Sequence, residues 1–305
     1  MGSAFFDKII WAVDPLESTE PSTGSKFLVG ALSRISKAKI EPMFVLTPPY
    51  ANFSESPTEI EEAFRALAEK RMANLSKISD LENLSAGKVL VNHSGSMRKA
   101  VQTFIDHAMT EHADAIVVDT HARKGVSRLF MGSFAETLAL YSPVPIFSVN
   151  PQTKVREKIS KIIFPTDFAP QFRNSFETVV KFAKAVEAQL TLFYKAPVIP
   201  APYKSEVIYQ FLAQEAVRRA QDAAEWQGWA VHEGVKTDLH LDNQPGFLAT
   251  ALEEFTAEKN FDLIAMATQA DAVSAVLVGS LTRQMIRHAP CPVWTLRVNP
   301  EDEYL

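Results

Sequence analysis

The sequence predicts an α/β protein made of two tandem, doubly wound parallel-sheet domains. Three observations carry this. An apolar run ending in aspartate occurs twice, as Ile9-Ile-Trp-Ala-Val-Asp14 and Ile162-Ile-Phe-Pro-Thr-Asp167, with 167 − 14 = 153. A second pattern also occurs twice. Asp114-Ala-Ile-Val-Val-Asp119 leads to Gly132-Ser133 and Pro143-Val-Pro145, and Asp262-Leu-Ile-Ala-Met-Ala267 leads to Gly279-Ser280 and Pro290-Cys-Pro292. The Gly-Ser pair precedes the first proline by the same step, 143 − 132 = 11 and 290 − 279 = 11, and the two pairs lie 279 − 132 = 147 apart. Offsets this close indicate a duplicated unit. Third, stripes at helical spacing alternate with short apolar runs throughout, the pattern of a parallel sheet covered on both faces.

The elements follow in order. In the first half, Phe27, Leu28, Ala31, Leu32 and Ile35 share a helix face, and 43–46 is a strand stopped by Pro48-Pro49. Thr58-Glu-Ile-Glu61 reads as a capping box, followed by Ile60, Phe64, Leu67, Leu75 and Ile78 on one face. A strand over 88–91 and a helix over 97–110 precede the repeated unit. In the second half, Phe172, Phe176, Val179, Val180, Ala183 and Val186 stripe a helix, and 190–194 is a strand. A proline-rich connection spans 197–202, then come a helix over 205–229, a strand over 235–241 and a helix over 247–255. Each half reads β-α-β-α-β-α-β-α-β. The border falls near 150–158, which divides the chain into domains 1–150 and 151–305.

Composition sets bounds on function. The chain has 305 residues, enough for two domains of ordinary size, and its 47% hydrophobic and 22% charged content is that of a globular protein. A net charge of −5 argues against a nucleic-acid binder. Cys291 stands alone, so no intrachain disulfide and no cysteine-rich metal site can form, and a reducing, cytoplasmic setting is expected. No apolar stretch is long enough for a signal peptide or a membrane span, and Phe6 stands where myristoylation wants Ser or Thr. No metal site is expected. His107 and His112, five apart, read as surface histidines rather than a metal pair. Arg283, Arg287 and His288 read as a solvated basic face on the last helix.

In an open parallel sheet, ligands bind beyond the carboxyl ends of the strands where strand order reverses. Asp14 and Asp167 end the first strands there. The Gly-Ser pairs are read as opening the last helices on the same edge, where backbone N–H groups bind phosphate and glycine admits close approach. A carboxylate can accept from a ribose hydroxyl. Each constellation is mononucleotide-shaped, although a lone Gly-Ser is commonly just a helix cap and a lone strand-end Asp a turn former.

These residues resemble the universal stress protein family in its tandem-domain form. The family carries a first strand ending in Asp, often as Pro-Thr-Asp. It also carries Gly-x-x-Gly, nine residues, then Gly-Ser or Gly-Thr, and a proline-rich approach to the last strand. Pro165-Thr166-Asp167, Gly132-Ser133, Gly279-Ser280 and the two Pro-x-Pro runs match. The resemblance implies an adenine-nucleotide-hydrolase-like sheet of order 3-2-1-4-5, with the halves packed as an intramolecular pseudo-dimer through their last strands. It implies ATP or AMP as candidate ligands, held by Asp14, Val45, Thr120, His121, Arg123, Gly132 and Ser133. In the second half it implies Asp167, Gly279 and Ser280. The chain departs from the pattern in both halves. The leading glycines fall on Asp119 and Ala122 in the first and on Ala267 and Ala270 in the second, where the spacer shortens to eight residues, 271–278. The first half keeps the nine-residue spacer and offers His121, Arg123, Lys124 and Gly125, with Asp119 as an opposing charge; it is the expected nucleotide half. With no nucleophile–base–acid arrangement in the sequence, binding is expected rather than turnover. A nucleotide-using hydrolase or transferase, and a scaffold with no nucleotide, are the alternatives.

Overall fold

A computed structural model describes residues 5–16, 22–47, 57–78, 80–120, 128–197, 206–268 and 278–298. In the first half, strands β1 (Lys8–Ala12), β2 (Lys39–Leu46), β3 (Lys88–Val91), β4 (Ala115–Asp119) and β5 (Ile146–Val149) alternate with helices α1 (Thr23–Ser36), α2 (Pro57–Ile78), α3 (Met97–Thr110) and α4 (Arg128–Tyr141). The second half repeats this with β6 (Lys161–Pro165), β7 (Gln189–Lys195), β8 (Thr237–Asp242), β9 (Leu263–Thr268) and β10 (Val293–Arg297). Its helices are α5 (Arg173–Ala185), preceded by a 3₁₀ turn over Pro170–Phe172, then α6 (Glu206–His232), α7 (Leu248–Lys259) and α8 (Val278–His288). α2 starts at Pro57, a position that suits proline and places Thr58 inside the helix rather than at its cap. The connection read at 197–202 lies almost wholly outside the described residues.

The ten strands form one sheet of order β3-β2-β1-β4-β5-β10-β9-β6-β7-β8, which is 3-2-1-4-5 in each half. All neighbours are parallel except β5 and β10, which pair antiparallel with Trp294 opposite Phe147. The strands of the two halves therefore run in opposite directions, and their carboxyl ends lie on opposite edges of the sheet. Central strands must be apolar on both faces, and Ile9, Ile10 and Trp11 of β1 are fully buried, as are Ile162, Ile163 and Phe164 of β6. On the face covered by α1, α2, α5 and α6, one core runs through both halves, from Trp11 and Leu28 to Phe176 and Trp226. On the other face two smaller cores sit apart, one around Phe104 and Leu138, the other around Leu252 and Met285.

The junction is aromatic. The rings of Phe147 and Trp294 stack at 5.1 Å and 7°. Phe182 lies 5.0 Å from Trp294, and Phe6 lies 6.0 Å from Phe147. Above the other face, Arg287 of α8 donates from Nε and Nη2 to both oxygens of Glu136 on α4, at 2.6 and 2.9 Å. Arg287 remains 53% exposed, in keeping with the solvated basic face read from the sequence, while its guanidinium reaches across the junction. Its bidentate partner is a nearly buried carboxylate of the other half, a residue far away in sequence.

The opposite ends of the strands are tied by aspartates. Asp114 Oδ2 accepts from the N–H groups of Asp7 and Lys8, and Asp262 Oδ2 accepts from those of Ser160 and Lys161, all between 2.7 and 2.9 Å. In the first half this edge also holds an ion-pair network. Lys8 Nζ lies 2.7 Å from Glu41 and 2.6 Å from Glu111, and His107 Nε2 lies 2.6 Å from Glu41. His107 is therefore a buried partner of β2 rather than a surface residue. Its neighbours Phe104, Ile105 and Ala108 draw that helix face into the core, and Glu41 satisfies its ring.

Trp294→Ala should cost about 3–5 kcal/mol by urea unfolding, the usual penalty for emptying a large core site. Trp294→Phe should cost less than half as much, because the indole N–H has no hydrogen-bond partner to lose. A pH dependence is also expected. Burial alone would raise the Glu41 carboxyl, but hydrogen bonds from His107 and Lys8 and their charges hold it below the ordinary 4.5. A lowered folded value means that its stabilisation is complete above the ordinary value and is lost as pH falls through the lowered one. Acid unfolding of Glu41→Gln should accordingly be less steep than that of the unmodified protein below pH of about 4.5.

Candidate functional site

In each half the first strand sits where strand order reverses, β1 between β2 and β4, and β6 between β7 and β9. Connections leave such a strand in opposite directions and open a crevice beyond its carboxyl end. Asp14 stands two residues past β1. Its Oδ1 accepts from the Leu16 N–H at 2.9 Å, which closes a tight turn. Arg71 of α2 clamps that turn, donating from Nη1 to the carbonyls of Pro15 at 2.8 Å and Leu16 at 3.2 Å. Beyond β4, Thr120 is buried and its N–H donates to the Val149 carbonyl at 2.9 Å.

Asp119 is turned toward α1. It accepts from the hydroxyls of Ser22 at 2.5 Å and Ser25 at 2.6 Å. Ser22 caps α1, its Oγ accepting from the Ser25 N–H at 3.1 Å. A carboxylate at a helix N-terminus meets the positive end of the dipole. The charge that opposed phosphate in the sequence reading is therefore compensated by a neighbouring helix. Val45 in β2 pairs with Leu90 of β3, and both pack against the Ile10–Met43–Phe104 core. This leaves an apolar floor beside the Asp14 turn.

The second half builds the same place differently. Asp167 is exposed, its Oδ1 accepts from the Ala169 N–H at 3.0 Å, and its carbonyl accepts from Arg219 of α6 at 2.6 Å. Phe168, where the first half has Pro15, takes a left-handed φ of 61°. Its ring is 2% exposed, 5.6 Å from Trp226 and 6.0 Å from Tyr194. The registers pair Ile10 with Glu41 and Ile163 with Thr191, so β2 maps onto β7 by 191 − 41 = 150 and Val45 maps onto Lys195. Lys195 is 4% exposed and bonds Asp242 at 2.8 Å, and Asp242 occupies the place of Leu90. Where the first half offers an apolar floor, the second holds a buried ion pair and a ring.

Gly132 and Ser133 need a correction. Helix α4 begins at Arg128, so the pair lies more than one turn inside it instead of opening it. Arg128, Leu129 and Met131 are good helix formers, which carry the helix toward its loop. The free N–H groups of α4 then belong to residues 128–131. Gly279 and Ser280 do lie in the first turn of α8, with Ser280 exposed. His121, Arg123, Lys124 and Gly125 lie outside the described residues. The sequence reading missed the two clamping arginines. They are separated by 219 − 71 = 148, the same as Asp114 and Asp262, 262 − 114 = 148, and that shared offset could have revealed them.

Among the described residues, no group of three or more His, Cys, Asp or Glu side chains could hold a metal ion. Among them also, no helix is long and apolar enough to cross a membrane. Burial pushes the Cys291 thiol far above its ordinary value, which leaves it unreactive.

Two tandem open α/β units, each with an aspartate at its switch point, define the class of protein by its architecture. The profile of the universal stress protein family matches residues 6–150 and again residues 158–297, and the chain belongs to that family. It is 30% identical over 146 residues to a universal stress protein of Methanocaldococcus jannaschii, covering 45% of this chain and 81% of that protein. A universal stress protein of Archaeoglobus fulgidus DSM 4304 superposes with a TM-score of 0.68 at 16% identity, over 98% of this chain and 100% of that one. A protein of unknown function from Pseudomonas aeruginosa PAO1 gives 0.62 at 11%, over 98% and 95%. These two likenesses speak for the fold.

Asp119→Ala should destabilise the protein by about 1–3 kcal/mol in calorimetric unfolding, because two hydroxyls at the α1 N-terminus lose their acceptor. Asp119→Asn, which keeps an acceptor oxygen, should cost less.

Proposed function

We propose that this chain is a cytoplasmic stress-response protein of two domains, 1–150 and 151–305. It acts by binding one adenine nucleotide, ATP or AMP, in the first half, and not by turnover. The observation that carries the reading is the difference between the halves at one register position. Val45 and Leu90 give an adenine ring an apolar floor, whereas Lys195 and Asp242 would set a buried ion pair against it. Asp14, on its clamped turn, would accept from the ribose hydroxyls. The first N–H groups of α4, at residues 128–131, with Thr120, His121 and Arg123, would take the phosphates. The corresponding set in the second half is Asp167, Gly279 and Ser280, and there Phe168 occupies the space beyond the strand.

Titration calorimetry with ATP and AMP tests this. One site per chain is expected. Asp14→Ala and Val45→Lys should each weaken binding at least about ten-fold, as loss of a contact worth over 1.4 kcal/mol does. Asp167→Ala should leave it unchanged. Binding that disappears in Asp167→Ala but survives in Asp14→Ala would put the nucleotide in the other half. Failure of both nucleotides to bind at millimolar concentration would end the nucleotide reading, and Asp14-dependent release of phosphate would make the chain a hydrolase.

A further inference from the structure

The second half contains an open groove of about 1270 Å³ between α7 and the sheet face of β7 and β8; the Lys195–Asp242 pair lines it, but no residue of the proposed first-half nucleotide site does. The first half shows what normally fills this place. Asp114 accepts from Lys8 N–H as Asp262 does from Lys161, and His112 and Asn260 take the same left-handed turn. Counting from these fixed points, Lys8, Glu41, Lys88, His107 and Glu111 map onto Lys161, Thr191, His240, Phe255 and Lys259. In the first half these five form the ion-pair network described above, with Lys88 joining Glu111 at 3.7 Å. In the second half both carboxylates are gone and the lysine remains.

Lys161 Nζ donates to the Lys259 carbonyl at 3.2 Å and makes no ion pair among the described residues. Three carboxylates lining the groove are bonded elsewhere: Asp238 to Gln189, Asp242 to Lys195 and Glu258 to Lys259. Glu254 lies on the exposed side of α7. In place of His107, Phe255 brings its ring to 3.9 Å from His240 at 19°, and Phe193 lies 5.4 Å from His240 at 22°. All three rings line the groove, and those of Phe255 and His240 are only half-buried. Burial holds His240 below the ordinary histidine value despite the nearby Asp242. The floor is therefore a neutral aromatic platform beside an ammonium that has lost its two carboxylates.

We propose that this groove binds a small planar aromatic carboxylate, its ring on the Phe255–His240 platform and its carboxylate on Lys161, in the role that Glu41 and Glu111 fill in the first half. A carboxylate restores the charge-assisted contact that the lysine has lost. An aromatic ring stacks offset on the platform and buries its faces.

The test uses the full chain and three probes, 2-naphthoate, its neutral amide, and cyclohexanecarboxylate, followed by calorimetry and by the His240 ring resonances. Naphthoate should saturate one site and shift those resonances, with the other two probes at least about ten-fold weaker, the scale of one charge-assisted bond or one stacked ring. Lys161→Met, at an exposed position, should weaken naphthoate to the level of the amide and leave the amide unchanged. Thr191→Glu combined with Lys259→Glu rebuilds the first-half carboxylates and should abolish naphthoate binding while the protein stays folded. The proposal is overturned if naphthoate does not bind at millimolar concentration. It is also overturned if the amide binds equally well, or if Lys161→Met binds naphthoate as the unmodified chain does. Unchanged ATP binding in Lys161→Met would show that this site and the nucleotide site stand or fall separately.

Discussion

The antiparallel pairing of β5 with β10 is the constraint on which the rest of the molecule depends. A strand left at the edge of a sheet presents unpaired N–H and C=O groups, and both last strands would do so in separate domains. Joined, they turn two five-stranded sheets into one of ten. The stacked rings of Phe147 and Trp294 then sit at the centre of a core that reaches from α1 to α6. Because the pairing is antiparallel, it also sends the two crevices to opposite edges of the sheet. No single small ligand can bridge Asp14 and Asp167, and each half can carry its own chemistry.

The halves use that freedom at two places while keeping the same frame. The aspartates at the strand starts, the arginine clamps and the strand order are shared. What differs are side chains on strand and helix positions that face a crevice or groove. Val45 with Leu90 becomes Lys195 with Asp242, and the Lys8–Glu41–His107 network becomes Lys161, Thr191 and Phe255. Burying the Lys195–Asp242 pair is not obviously a gain in stability, since desolvation offsets most of the attraction between paired charges. Hydrogen bonds from Lys195 and from the Gln244 N–H nonetheless outweigh burial and hold the Asp242 carboxyl below its ordinary value. The pair makes the second-half crevice polar.

Much of this was legible in the chain itself. Two offsets near 150 residues and regular alternation of strand and helix patterns are local properties, and they determined the duplicated α/β architecture and the positions of Asp14, Asp167 and most elements. They did not determine which charges meet. His107 looked like a surface residue because its partner, Glu41, lies 66 positions away, and the pairing of Arg287 with Glu136 was not visible because the two are 151 apart. Asp119 looked like an obstacle to phosphate until α1 supplied Ser22 and Ser25 from 97 and 94 positions upstream. Gly132-Ser133 looked like a helix start because such a pair is a common cap, but the preceding residues begin α4 a turn earlier. Periodicity reports how a segment buries its own apolar face. Partner choice, cavity filling and the contrast between Val45 and Lys195 depend on registers between distant strands, which only the folded chain brings together.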